Sequence, residues 1–187
     1  VEYVDTNGGI VEINKVMERL EEFTPRGGRT KSSLDGLIER GKDFDLLVKR
    51  DGKIILNGRG YEFVELSEDE HKLKKFLREY INLNPIHTKT VHGLCLFVES
   101  VYEVLLYHHP ARREDVKDVF IHKSMKEDDW KDDTRDRAYN EYAALAEELL
   151  LVHRIGDRVE ITPYGLELVG ALQSTRVKKI YHSLYKG

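Results

Sequence analysis

Apolar residues recur at helical spacing along most of the chain, and two short stretches between them have strand character. The helical spacing predicts helices over 10–23, 30–44, 68–82, 90–107, 114–122, 134–149 and from 162 to the end. The strand stretches, 46–56 and 152–161, each contain a glycine turn, Asp51-Gly52 or Gly156-Asp157, and therefore predict β-hairpins. Residues 1–9 have the pattern of a short strand or arm. The predicted class is α+β, predominantly α.

A stretch of sequence occurs twice. Residues 46–64 return as 150–169, and the two align with one extra residue in the second turn. Each copy leaves a helix, forms a hairpin and enters another helix through Asn57 or Thr162, with glycine three positions later. Self-similarity at this spacing indicates two copies of one supersecondary unit. We therefore predict two domains, 1–83 and 84–187, with the boundary at the helix-breaking stretch that ends in Pro85.

The order helix, helix, turn, helix, hairpin, capped helix resembles the winged helix-turn-helix superfamily, here in tandem. No particular family is identified. The first copy departs from the pattern, because one helix instead of two precedes its 30–44 helix. The resemblance implies binding of double-stranded DNA, with the third helix of each unit in the major groove and the hairpin, or wing, near the backbone or minor groove. Winged helices also serve as protein-interaction modules in chromosome and transcription assemblies, and this is the alternative function.

Carried onto this sequence, the resemblance implies a set of DNA-binding residues in each copy. In the first copy they lie on the approach loop, the start of the third helix and the wing: Arg26, Arg29, Lys31, Ser32, Ser33, Lys49, Arg50 and Lys53. In the second copy they lie on the third helix and the wing: Arg135, Arg137, Asn140, Arg154 and Arg158. Lysine and arginine suit phosphates, while arginine and asparagine on a helix suit base edges.

Local charge separates the two copies. Residues 24–60 hold nine Lys or Arg against five Asp or Glu, whereas 127–148 hold three against nine, although the whole chain has a net charge of only -4. Carboxylates near phosphates are repulsive, so we expect the first copy to be the main DNA surface. The expected role is a free regulator or the recognition domain of a larger DNA-processing enzyme, such as a restriction endonuclease. The start at Val1 leaves the second option open.

Other chemistry is weakly indicated. His87, His92 and Cys95 lack the second ligand pair of a structural zinc site, and Asp51-Gly52-Lys53 is explained by the hairpin turn rather than by a nuclease centre. No phosphate-binding glycine loop or catalytic triad is present in the sequence. We therefore expect no catalysis, no metal, no cofactor and no small-molecule substrate.

Composition favours a soluble protein of the cytoplasm. The single cysteine excludes an internal disulfide, and no apolar run approaches the roughly 20 residues that span a bilayer. The segment 90–107 is apolar on most sides, which predicts a helix buried between the two units or in a dimer. Together with the apolar stripe of 177–184, it makes a homodimer possible.

Overall fold

A computed structural model describes the backbone of residues 1–22, 31–125 and 129–185, and the side chains of 1–19, 36–125 and 129–180. The protein is an α+β protein that is 66% helical and has two small three-stranded antiparallel sheets among the described residues. The predicted class, α+β and predominantly α, is confirmed. Contacts divide the chain into unit 1, Val1–Phe76, and unit 2, Leu77–Gly187. The division falls inside a helix, and the 83/84 boundary stays a prediction.

Among the residues that the structure describes, unit 1 contains seven complete elements and the start of an eighth, which continues into unit 2. They are α1 (Glu2–Thr6), β1 (Ile10–Glu12), α2 (Ile13–Glu22), α3 (Lys31–Asp43), β2 (Leu47–Arg50), β3 (Lys53–Leu56), α4 (Gly58–Glu65) and α5 (Glu70–Leu83). The remaining elements of unit 2 are α6 (Lys89–Tyr107), β4 (Ala111–Arg112), α7 (Arg113–Lys123), α8 (Asp132–Glu148), β5 (Val152–Ile155), β6 (Arg158–Ile161) and α9 (Pro163–Tyr185).

Each unit contains one sheet built on the same plan. The strand orders are β1-β3-β2 and β4-β6-β5, so the hairpin predicted from sequence gains a third strand on its second strand. In unit 1 the turn residues Asp51 and Gly52 have φ of 50° and 74°, which is the left-handed conformation that a two-residue hairpin turn needs. In unit 2 Gly156 has a φ of 62°. Both hairpins were predicted correctly, but the third strands were not.

The helix that follows each hairpin begins in the same way in both units. The Asn57 side chain accepts a hydrogen bond from the Gly60 amide at 2.9 Å, and the Thr162 hydroxyl accepts one from the Gly165 amide at 3.1 Å. A Cβ on Gly60 would lie 2.2 Å from the Leu46 carbonyl oxygen, and one on Gly165 would lie 2.2 Å from the Leu151 oxygen. The repeated cap-x-x-Gly pattern therefore exists because the helix start packs against backbone.

These equivalent positions correct the sequence alignment of the copies. Residue numbers differ by 105 throughout the two hairpins, as for Leu47 and Val152, and Gly60 and Gly165. Both hairpins have two-residue turns, so the extra residue predicted in the second turn is wrong. Leu46 corresponds to Leu151 rather than to Leu150, because the residue before it, Asp45 or Leu150, takes the left-handed conformation at the helix end.

The N-terminal region differs from its prediction. Residues 2–6 form helix α1 rather than a strand, and the 10–23 helix is instead strand β1 followed by α2. Gly8 and Gly9, with φ near 78° and 79°, turn the chain so that Ile10 and Val11 pair with β3. Helix α1 thus precedes β1 in unit 1 as α6 precedes β4 in unit 2. A five-residue helix therefore lies where the sequence pattern predicted a strand or arm.

Helix α6 is the core of unit 2. Ten of its nineteen residues are buried, and it packs against α7, α8 and α9. Its burial is thus explained by packing within unit 2, and a role in a dimer stays a prediction. By length and composition alone α6 could cross a membrane, which corrects the expectation that no run is long enough. Its burial, 56% of the most apolar window, is typical of the core helix of a folded domain.

Candidate nucleic-acid interface

Two cations of the first hairpin, β2–β3, share the outer face of the unit 1 sheet, the face opposite buried Ile54. Arg50 and Lys53 are directly opposed in the ladder, and their side chains are 77% and 48% exposed. Arg50 Nε lies 3.5 Å from an Asp51 oxygen, and Lys53 Nζ lies 3.6 Å from a Glu12 oxygen. Such exposed, loosely paired cations keep most of their hydration and remain able to contact an anion.

Lys49 lies on the other face of the same sheet. Its ladder partner is Ile54, whose side chain points into the core, but Lys49 itself is exposed because it stands on the edge strand. The three predicted hairpin cations of unit 1 are thus all exposed, yet only Arg50 and Lys53 share a face. A ligand that lies on the outer face would contact Arg50 and Lys53, and it would reach Lys49 only at the edge of strand β2.

Beside the cations, the outer face of the unit 1 sheet bears an apolar row. Ile10, Ile55 and Val48 are opposed across all three strands, and Ile10 and Val48 are 53% and 44% exposed. This row follows from the strand β1 that the sequence analysis missed, since Ile10 was assigned to a helix. The outer face therefore combines an apolar half with a charged half.

The second hairpin, β5–β6, places Arg158 directly opposite Arg112 of β4. Both residues are exposed, and neither has an ion pair among the residues that the structure describes. Like charges directly opposed on a sheet are destabilising, so this pair favours an anion above it. Arg112 was missed because β4 has only two residues, too few for any periodic signal.

Arg154 of the second hairpin is held by a carboxylate. Its Nε donates to a Glu147 oxygen at 2.8 Å and its backbone amide donates to the other oxygen at 3.2 Å. The side-chain hydrogen bond from Arg154 lowers the pKa of Glu147. Arg154 lies on the same face as buried Val159 and Val152, which explains why it folds back onto α8. Of the two predicted arginines of this hairpin, Arg158 is the one that remains outward.

Helix α8 presents mixed charge. Arg135 donates from Nε to the Trp130 carbonyl at 2.9 Å and lies 3.7 Å from Asp132. Arg137 and Asn140 are exposed, but Asp132 and Asp133 occupy the first turn, where they stabilise the helix dipole. A helix start with two carboxylates repels a phosphate backbone, as the local charge predicted.

The other predicted contacts of unit 1 cannot be placed. Arg26 and Arg29, and the side chains of Lys31, Ser32 and Ser33, lie outside the described residues. The backbone places Lys31, Ser32 and Ser33 in the first turn of α3.

His92 and Cys95 of α6 are both affected by burial. Cys95 is buried, and burial raises the pKa of its thiol to about 12. Burial also lowers the pKa of His92. Among the described residues, no group of three or more His, Cys, Asp or Glu could hold a metal ion.

On the outer faces of the two sheets, the described cations thus form two pairs, Arg50 with Lys53 and Arg112 with Arg158. Each pair lies on the outer face of a sheet whose hairpin follows two helices in the chain. Comparison of the chain with protein-family models, with curated proteins and with solved structures found no match.

Proposed function

We propose that the chain binds double-stranded DNA through two winged-helix units, with unit 1 as the main surface. The order of elements supports this, because each unit runs helix, strand, two helices, two strands, helix. In that arrangement α3 and α8 are the recognition helices, and the β2–β3 and β5–β6 hairpins are the wings.

The observation that carries the proposal is the outward pair Arg50 and Lys53 with exposed Lys49 on one short hairpin. A β-hairpin is rigid enough to hold its cations at fixed spacing, so little conformational entropy is lost when they meet phosphates. The cations that precede and begin α3 in the sequence, Arg26, Arg29 and Lys31, add to the positive charge of the same unit, whereas α3 as a whole is neutral. Unit 2 has acidic α8 in the corresponding place, which favours unit 1.

In this proposal the chain recognises DNA and does not catalyse a reaction. It acts as a free regulator or as the recognition domain of a larger DNA-processing enzyme. Exposed Arg137 and Asn140 on α8 would supply a second, weaker contact with DNA. Arg158 and Arg112 would contact the DNA backbone beside that second contact.

A salt titration of duplex binding tests the proposal. Each phosphate contact contributes about 0.9 to the slope of log affinity against log salt. Lys49→Gln with Arg50→Gln should therefore lower the slope by about two units and weaken binding about equally for all sequences. The matched control is Lys72→Gln with Lys178→Gln, which removes the same charge from exposed helix positions. Equal slopes for the wild type and the hairpin variant would refute unit 1 as the DNA surface.

The alternative function, a protein-interaction module, is favoured by the apolar row of Ile10, Val48 and Ile55. Duplex DNA offers few apolar groups, whereas protein interfaces bury such residues at their centre. The double variant Ile10→Thr with Val48→Thr discriminates the two functions. It should leave duplex affinity unchanged if the charged half of the face binds DNA alone.

A further inference from the structure

Unit 2 contains a cavity of about 430 Å³ between the N-terminal half of α6, the end of α7, the middle of α8 and α9. Its wall is apolar and aromatic, formed by Leu96, Phe120, Trp130 and Tyr142. Phe120 and Tyr142 pack edge to face with their ring centroids 5.4 Å apart. This size and lining are those of a small-molecule site.

Gly93 shapes the cavity. A Cβ at this position of α6 would lie 2.3 Å from the Tyr142 hydroxyl oxygen and 2.4 Å from the carbon that bears it. Glycine costs about 1 kcal/mol relative to alanine inside a helix, so its presence here needs a compensating reason. The reason visible in the structure is that Tyr142 lies against the bare backbone of α6 and forms one wall.

All the charged side chains that line this cavity are cationic. Lys89, Lys123 and Arg176 line it, and no carboxylate does among the described residues. Lys123 lies 2.6 Å from a Glu103 oxygen and 3.4 Å from a Glu99 oxygen, and Arg176 also contacts Glu99, whose side chain is only 8% exposed. These ion pairs fix both head groups at the cavity wall and neutralise most of their charge, so Lys89 at the rim carries the excess positive charge. Arg176 has further N–H donors beyond its bond to Glu99, and Lys89 is exposed at the rim.

The field in the cavity favours an anion. Burial is the main cause of the lowered pKa of His92. The positive charge of Arg176 lowers this pKa further, by more than the negative charge of Glu99 raises it. Another groove, between α7 and α8, has an excess of negative charge, since four carboxylates line it with two cations, Lys117 and Arg135. Selectivity for an anion would therefore be a property of the cavity and not of unit 2 as a whole.

We propose that this cavity binds a small carboxylate with an aromatic or similarly flat apolar body. The body would pack between Trp130, Phe120 and Tyr142, and the carboxylate would face Arg176 and Lys89. This site does not depend on the proposed DNA binding, because none of its residues is a proposed DNA contact.

The chain has one tryptophan, Trp130, so its fluorescence reports on this cavity alone. Three probes share one ring and differ in charge: phenylacetate, phenylacetamide and phenethylamine. None of them absorbs at the red edge of tryptophan absorption. Titration of Trp130 emission, checked by calorimetry, should give the order phenylacetate tightest, phenylacetamide weaker and phenethylamine weakest.

Two variants separate charge from shape. Lys89→Gln should reduce the preference for phenylacetate over phenylacetamide by roughly two- to five-fold and leave phenylacetamide unchanged, since an exposed cation contributes modestly. Lys178→Gln, an exposed lysine outside the cavity lining, is the control and should change neither. Gly93→Ala displaces Tyr142 and should weaken all three probes without altering their order.

Binding of no probe at millimolar concentration would overturn the proposal, as would equal affinities or tighter binding of the amine. If Gly93→Ala fails to fold, the preference measured with Lys89→Gln still decides, because that residue is at the exposed rim.

Discussion

The two sheets have one backbone plan and different outer faces. In unit 1 the outer face carries Glu12, Lys53 and Arg50 in one row and three aliphatic side chains in the next. In unit 2 the corresponding charged row is Arg112, Arg158 and Ile155. The rows differ on the third strand, where β1 brings a carboxylate and β4 brings an arginine, and on the edge strand, where Arg50 corresponds to Ile155. Shared topology therefore does not predict shared binding.

The charge near the helices α3 and α8 differs between the units in the opposite sense. The segment that leads into α3 is basic, whereas α8 begins with Asp132 and Asp133. In unit 1 a basic segment precedes α3, and Glu12 partly neutralises the hairpin cations. In unit 2 the helix α8 is acidic, and the sheet carries the pair Arg112 and Arg158. The phosphates of a DNA duplex would therefore be repelled more strongly by α8 than by α3.

The largest effect should come from the feature that the units share. Gly60→Ala and Gly165→Ala each force a Cβ against a backbone carbonyl oxygen, and backbone cannot swing aside as a side chain can. Each should lower the free energy of unfolding by about 1–3 kcal/mol, measured by denaturant titration. The controls are Gly58→Ala and Gly170→Ala, whose Cβ positions are open, and these should be neutral or slightly stabilising.

The same pair of variants tests whether the units unfold separately. Cys95, the only cysteine, is buried in unit 2, so its modification by a thiol reagent reports opening of that unit. Gly165→Ala should accelerate modification, and Gly60→Ala should not. Equal acceleration by both would mean that the units unfold together.

Much of this plan could be predicted from sequence, for identifiable reasons. The hairpins were correct because Asp51-Gly52 and Gly156-Asp157 are strong local turn signals, and the helices were correct where apolar spacing is long. Strands β1 and β4 were missed because their three and two residues are defined by pairing with β3 and β6, which is non-local. The Arg112–Arg158 pair and the apolar row depend on those strands, so neither could be found. The burial of α6 was foreseen, but the elements that cover it were not.

The next prediction concerns the opposed pair Arg112 and Arg158. Arg112→Gln with Arg158→Gln should lower the salt slope of duplex binding by less than Lys49→Gln with Arg50→Gln does, if unit 1 is the main surface. Removal of the opposed charges should also stabilise unit 2 by a few tenths of a kcal/mol. A larger loss of slope than that of the unit 1 variant would reverse the assignment and make unit 2 the main surface.

The smallest effect concerns the ion pair that holds Arg154. Glu147→Gln should release Arg154 toward solvent and increase the salt slope and duplex affinity slightly, since one more cation becomes able to meet a phosphate. If duplex affinity instead falls, Glu147 positions Arg154 for binding rather than withholding it. Glu160→Gln, an exposed carboxylate on the outer face of the same sheet, serves as the charge-matched control. An equal gain with that control would show a general effect of net charge.

The same substitution has a pH signature. The pKa of folded Glu147 lies below the ordinary value of 4.5 because Arg154 donates to it. The stabilisation from this group is therefore complete above the unfolded pKa, and it is lost as the pH falls through the lower, folded value. Wild type should be slightly more stable than Glu147→Gln at neutral pH, and thermal unfolding should show the gap closing below about pH 4. Because the pair is more than a third exposed, salt should narrow the gap at neutral pH as well. A gap that persisted in acid would mean that Glu147 acts through packing, and Arg154 would then remain on α8 without its charge partner.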